Sequence, residues 1–404
     1  MQSIFIDKRP YEFVTPVMNE FWPKLMNRKF ILNRLLKKTE SVESWEVRGI
    51  EKIRQSIDDG DAVIMIPNHP RTSDPVAMYH VMRELNCPMF VMASWHLFNQ
   101  SMLNTMIIRL YGGFSVNREG MDRKAVNFAI SNLVEARRPL LVFPEGATSR
   151  TNDSLMPFLE GTELIARSVA RKRKKKGKGK TVVHPIAIRY LYRGDVDEIV
   201  SPILEQIESR FTFQSRTNES TVKRLFRIGS MLLSMKELEY GIVTDPQAPL
   251  HQRQIEFVDR LLGETEQHWF GETSDKNVSE RIRELRTGIF PPILSEKDMP
   301  ADEKQLRWRD LKRTYLAWQV ASYPPNYLHE YPSVDRIIEI TDKFREDLTD
   351  EPRHCATQSL VIQVGDPIEV STEKSAAGQG LLDHTREALL AMMGELQNES
   401  AMLR

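Results

Sequence analysis

Asn68-His69-Pro70-Arg71-Thr72-Ser73-Asp74 is the stretch on which the fold turns. It follows Ala62-Val63-Ile64-Met65-Ile66, a short apolar run that reads as a buried strand. It precedes residues 75–85, whose apolar positions recur at helical spacing. An imidazole and a carboxylate therefore sit where a strand becomes a helix. In open α/β sheets, ligands bind in the crevice beyond the carboxyl ends of the strands. Pro70 disfavours the helical region for His69 and keeps the chain extended there. Asp74 before Pro75 reads as a helix N-cap with proline at the first helical position. On one straight helix, five residues would separate the two side chains by about 140°. Across a turn, Asp74 can fold back onto His69, and its two oxygens can hold the ring and cap the helix together. The pair then suits a catalytic dyad, with Asp74 fixing the imidazole tautomer and His69 acting as general base on a hydroxyl. An isolated pair at this spacing is more often an ordinary capped turn, so the rest of the chain has to decide.

Length and composition bound the answer. The 404 residues suffice for one large domain or two ordinary ones, and 41% hydrophobic with 28% charged residues is the composition of a folded chain. Basic and acidic residues balance at 56 each, which gives no case for nucleic acid. Two cysteines, Cys87 and Cys355, make neither a disulfide framework nor a metal cluster, so a reducing cytoplasmic location is expected. No apolar run approaches the ~18 residues of a membrane span. The N-terminal MQSIFIDKRP lacks the apolar core of a signal peptide.

Residues 11–38 carry apolar positions at helical spacing, divided by Pro16 and Pro23 and flanked by Arg28, Lys29, Arg34, Lys37 and Lys38. They read either as amphipathic helices on a membrane surface or as a helical pair docked on the core. From about residue 46, strands and helices alternate up to residue 192, which predicts an α/β fold with a mostly parallel sheet flanked by helices. Residues 171–180, RKRKKKGKGK, hold eight basic residues in ten. They read as a solvated loop or as an electrostatic contact with anionic lipid or a polyphosphate cofactor, and each lysine near an anionic leaflet contributes roughly 1 kcal/mol. GKGKT at 177–181 is no P-loop, because Lys174 stands where the first glycine would fall. Residues 197–353 abandon the alternation for about six helices, such as 221–239, 249–268 and 334–348. Strand patterning returns at 359–368, and a last amphipathic helix covers 381–397. The expected organisation is an N-terminal segment 1–45, an α/β core 46–196, a helical insertion 197–353 and a closing segment 354–404.

Three further blocks lie at strand ends. Gly112-Gly113-Phe114-Ser115-Val116-Asn117-Arg118 places an arginine just past a short strand, and arginine suits bidentate phosphate binding. Phe143-Pro144-Glu145-Gly146-Ala147-Thr148-Ser149-Arg150 offers backbone N–H groups, hydroxyls and a guanidinium for an anion. His184-Pro185-Ile186-Ala187-Ile188 reads as an apolar wall.

In order and spacing these blocks resemble the glycerolipid acyltransferase superfamily, the PlsC-like lysophosphatidic-acid acyltransferases. That family is marked by NHxxxxD, a G-x-x-F-x-x-R-like block, FPEG and a V-P-x-A-like strand. The resemblance covers residues 46–192, Phe158-x-x-Gly161 fits the pattern after FPEG, and Gly365-Asp366-Pro367-Ile368 looks like the family's closing strand. It implies acyl transfer from acyl-CoA or acyl-carrier protein to a glycerolipid hydroxyl in phospholipid biosynthesis, with 1-acylglycerol 3-phosphate the leading acceptor and glycerol 3-phosphate or another lysolipid the alternative. His69 would be the general base and Asp74 its orienting partner, while Arg118, Glu145 and Gly146 would hold the glycerol phosphate. No metal or other cofactor is implied. Pro70-Arg71 replaces the family's usual Gln-Ser, and Ala147-Thr148-Ser149 replaces Thr-Arg-Ser, so Arg71 or Arg150 would substitute for the missing phosphate-binding arginine, with Ser149 a further substrate-binding candidate. A peripheral enzyme on the inner face of an anionic membrane, docked through 11–38 and 171–180, is the expectation. A non-catalytic membrane-binding protein on the same scaffold is the alternative of another class.

Overall fold

The computed structural model describes residues 11–19, 21, 29–117, 122–211, 216–295, 299–323, 327–349, 354, 356–373 and 380–402. The chain forms two compact units: Tyr11–Arg193 with Thr357–Ser400, and Gly194–Ala356 joined by Ala401 and Met402.

The first unit is built on one sheet. Its helix α1 (Lys29–Glu40) leads to β1 (Val42–Arg48), α2 (Ile50–Asp58) and β2 (Ala62–Pro67). Then come α3 (Asp74–Ala77), α4 (Tyr79–Leu85), β3 (Phe90–Ser94), α5 (Met102–Leu110) and β4 (Gly113–Val116). These are followed by α6 (Arg123–Val134), β5 (Leu140–Leu141), α7 (Gly161–Lys175) and β6 (Thr181–Tyr192).

The second unit is helical: α8 (Val196–Arg210), α9 (Thr221–Tyr240), α10 (Leu250–Phe270), α11 (Val278–Ser295), α12 (Ala301–Ala321), α13 (Tyr327–Glu330) and α14 (Val334–Thr349). Its core gathers Phe257, Leu261, Leu285, Ile289 and Leu311 from α10, α11 and α12. The chain then returns to the first unit as β7 (Gln358–Val364), β8 (Ile368–Glu369) and α15 (Leu381–Gln397).

The strands order as β1-β7-β6-β2-β5-β3-β4, with β8 on β6. All pairs are parallel except β6 with β7 and β6 with β8. Every residue of β2 and β6 is buried, so neither shows the alternation of a half-exposed strand, and β2 reads as a continuous apolar run. Ala62, Ile64 and Ile66 face a core completed by α6, α7 and α15, while Val63 and Met65 face one completed by α1, α2 and α4. The helical unit leaves after Tyr192 and the chain returns at Gln358, directly opposite it in the antiparallel β6–β7 pair. Arg193 N donates to Thr357 O at 3.1 Å, so both ends of the excursion are closed by one backbone bond. A long insertion between such adjacent ends adds little loop-closure entropy.

Two expectations are corrected here. Residues 11–19 hold no helix. They run extended against β4, where Val14 N donates to Ser115 Oγ at 2.7 Å and Ser115 N to Val14 O at 3.0 Å, and Phe13 packs edge-on to Phe114. Sheet edge and aromatic pocket prevail over helical spacing, and Pro16 lacks the N–H a helix would use. Residues 22–28 lie outside the described residues. The basic run 171–180 is also not a free loop: α7 continues through Lys175. Arg173 is buried, donating to Val134 O and Gly179 O at 2.9 Å each and to Gly60 O at 2.6 Å. Those carbonyls end α6 and precede β6 and β2, so the guanidinium fastens the helix to the sheet.

Candidate active site

The turn after β2 is held from both sides. Asn68 is buried; its amide donates to Ile188 O at 3.0 Å and accepts from Ile188 N at 2.7 Å. It thereby continues the β2–β6 ladder past the strand end with a side chain instead of backbone. Asn152 does the same one step on, donating to Tyr190 O at 2.8 Å and accepting from Tyr190 N at 2.9 Å. Each such bond contributes about 0.5–1.5 kcal/mol net, and all four satisfy buried groups that water cannot reach. From the other side Ser149 N donates to His69 O at 2.9 Å, binding the turn to the segment after β5.

This framing brings the imidazole to the carboxylate. His69 Nδ1 lies 2.8 Å from Asp74 Oδ2. The same oxygen accepts from Arg71 N at 2.8 Å, and Oδ1 accepts from the Tyr190 hydroxyl at 2.7 Å. Asp74 is wholly buried, and burial pushes its carboxyl above the ordinary range, opposed by His69, the Arg71 N–H and Tyr190. An ionised carboxylate only accepts, so Nδ1 carries the proton and Nε2 presents a lone pair. The His69 side chain is 14% exposed, and its ring rests on Phe143 with centroids 4.1 Å apart. Nε2 meets no protein partner among the described residues. A group there can accept a proton from an incoming hydroxyl.

Glu145 stands behind this pair. It is buried; Oε1 accepts from His69 N and Oε2 from Met156 N, at 2.7 and 2.8 Å. Burial first of all pushes its carboxyl up to about 8. Glu145 thus ties the histidine backbone to the loop before α7. The next residue turns the chain sharply: Gly146 has φ +71°, and a Cβ there would come within 2.8 Å of Leu159 Cδ1.

The other candidates fall at three depths. Arg71 is 7% exposed; it donates to Arg150 O at 3.1 Å and to the Tyr192 hydroxyl at 3.2 Å, and its guanidinium lies 5.5 Å from the Tyr190 ring centroid. Ser149 is buried with its hydroxyl turned to Thr151 O at 2.9 Å. Gly146 and Arg150 are partly exposed, Arg150 in the left-handed region at φ +61°. Arg118 lies outside the described residues. His69, Asp74, Arg71, Glu145 and the 146–150 turn are therefore one constellation. Tyr190 belongs to it and was not singled out from the sequence. Nothing in the sequence of β6 sets it apart, because Thr181 and Tyr192 carry hydroxyls in the same strand.

The Acyltransferase family model matches residues 44–189. This segment is a glycerolipid acyltransferase domain. The chain that carries it is accordingly an acyltransferase, and the His69–Asp74 pair lies inside the matched segment. A comparison with curated proteins returns no match. Tyr190 stands one residue beyond the matched stretch, yet β6 delivers its hydroxyl into the acyltransferase domain's dyad.

Proposed function

We propose that the protein transfers a fatty acyl group from acyl-CoA or acyl-carrier protein to the free hydroxyl of 1-acylglycerol 3-phosphate. The observation that carries this reading is the buried carboxylate holding Nδ1 of a histidine whose Nε2 is open, within an acyltransferase domain. Nε2 of His69 takes the proton as the hydroxyl oxygen attacks the thioester carbonyl carbon. The C–O bond forms, the C–S bond breaks, and the departing thiolate receives the proton back from the imidazolium. Asp74 keeps the ring in the required tautomer and stabilises the imidazolium between those steps. General-base assistance of this kind is worth roughly 10²–10⁴ in rate. Arg118 and Arg150 are assigned to the acceptor phosphate, with Glu145 and Gly146 shaping the turn that presents it. Positioning of the acceptor lowers the barrier further by holding its hydroxyl near the thioester.

The enzyme acts as a peripheral protein on an anionic membrane in this reading. No helix among the described residues is long and apolar enough to cross a membrane. Within the basic run, Lys176 and Lys178 pair with Glu135, and Lys180 with Glu369. Lys172, Lys174 and Lys175 are exposed with no ion-pair partner among the described residues, which leaves three cations for lipid headgroups.

The deciding experiment is thiol release from palmitoyl-CoA, with and without 1-acylglycerol 3-phosphate, for the wild type and His69→Ala. Release that needs both the acceptor and His69, falling by about 10²–10⁴ in the variant, supports the reading. Release that ignores the acceptor would make the enzyme a thioesterase. Replacing the acceptor with glycerol 3-phosphate or another lysolipid identifies the hydroxyl used.

A further inference from the structure

The helical unit encloses a cavity of about 770 Å³ among its described residues. That is the size of a small-molecule site, which typically spans roughly 300–1,000 Å³. Phe226, Leu232 and Leu238 of α9 line it, with Leu250 of α10, Val320 of α12 and Phe344 of α14. The lining follows α9 from Phe226 to Leu238, which at 1.5 Å per residue makes the trough about 18 Å long. Midway stands Gly229, in a helix interior where glycine is disfavoured. A Cβ there would come within 3.2 Å of Leu250 Cδ2 and 3.3 Å of Phe344 Cζ, so the wall is already at contact distance.

The rim and the polar groups narrow the class of occupant. Met235 and Leu238 are 50% and 86% exposed at the open side, an apolar edge facing water. The charged lining residues are answered within the protein. Lys236 pairs with Glu239 at 2.8 Å, and the Tyr323 hydroxyl donates to Asp347 at 2.8 Å. His251, Gln254, Gln319 and His329 also line it, but apolar side chains make up most of the lining, and its length suits an extended hydrocarbon better than a compact ring system.

We propose that this trough binds one long fatty-acyl chain, at a site formed by the helical unit alone and distinct from the His69–Asp74 dyad. The choice of an acyl chain among linear hydrocarbons rests on the proposed acyltransferase reaction. The test titrates the full-length protein with cis-parinaric acid, a fluorescent linear fatty acid. It compares the wild type with Leu232→Trp, which fills the trough, Leu238→Asp, which charges its exposed rim, and His69→Ala. Saturable binding weakened about tenfold or more by Leu232→Trp, several-fold by Leu238→Asp and unchanged by His69→Ala supports the site. Leu238 is exposed, so its variant keeps the test valid if Leu232→Trp does not fold. Identical titrations for all four proteins would overturn it, as would loss of binding in His69→Ala alone. Self-association broken by Leu238→Asp, with no parinarate bound, would also overturn it and make this face an interface between copies of the chain. Thiol release on the same preparations separates the two readings. Turnover without trough binding removes this inference only, and trough binding without turnover supports it while removing the proposed reaction.

Discussion

Asp74 shows how much one carboxylate is asked to do. It is buried away from water and accepts from the His69 ring, the Arg71 N–H and the Tyr190 hydroxyl. Two of these lie in its own turn, and the third comes from a strand 116 residues away in sequence. Tyr190 donates to Asp74 and so keeps Oδ1 from being a buried, unpaired acceptor, which suits a positioning role. Tyr190→Phe removes that donor while leaving the ring in place. We expect kcat to fall about tenfold, equivalent to about 1.4 kcal/mol of transition-state stabilisation, with the acceptor KM little changed. A carboxylate that has lost a donor holds its imidazolium more tightly, so the acid limb of the kcat/KM profile should move to higher pH. A variant that lost KM and kcat together with an unmoved pH profile would show that the hydroxyl serves packing only.

At the scale of elements, α4 carries an unused titratable group. His80 is fully buried, stacked on Trp45 with centroids 4.5 Å apart, and neither ring nitrogen has a hydrogen-bond partner among the described residues. Burial pushes its pKa down to about 3, and Arg83 adds to this. The folded state therefore binds fewer protons than the unfolded chain between pH 6.5 and 3. Stability from this residue is fully present above pH 6.5 and is lost as pH falls, by up to about 1.4 kcal/mol per pH unit. His80→Phe keeps the stack and removes both unsatisfied nitrogens. It should raise stability at neutral pH by about 1–2 kcal/mol and flatten the acid side of a denaturant-derived stability curve between pH 6.5 and 4. A wild-type slope retained in the variant would assign the acid loss to other groups.

Across the whole molecule, the two units carry different chemistry on one chain. The sheet unit holds the dyad, and the helical unit, threaded through the β6–β7 connection, holds the apolar trough. Charge is unevenly exposed although the total is balanced. Changing Lys172, Lys174 and Lys175 together to Gln should weaken binding to anionic vesicles by about a hundredfold at low salt, at roughly 1 kcal/mol per lysine. The difference should shrink as salt screens the surface. Sedimentation with phosphatidylserine vesicles measures it, and unchanged binding would leave these lysines as solvated helix ends.

The sequence by itself determined the sheet and the class of chemistry. β2 is apolar throughout and β6 mostly so, because both of their faces are buried, and that pattern survives in one dimension. The dyad was legible too, since Pro70 and Pro75 confine His69 and Asp74 to one turn. Helix periodicity placed α9, α10 and α14 to within about two residues. Tertiary structure alone decided the rest. It laid residues 11–19 along β4, because a free sheet edge satisfies their backbone better than a helix broken at Pro16. It turned Arg173 inward from a run of exposed lysines, because three carbonyls from three segments converge there. It directed Arg71 and Ser149 to protein partners and brought Tyr190 to Asp74. Such choices depend on which distant groups lie unsatisfied at the same point in space, and no local pattern records that.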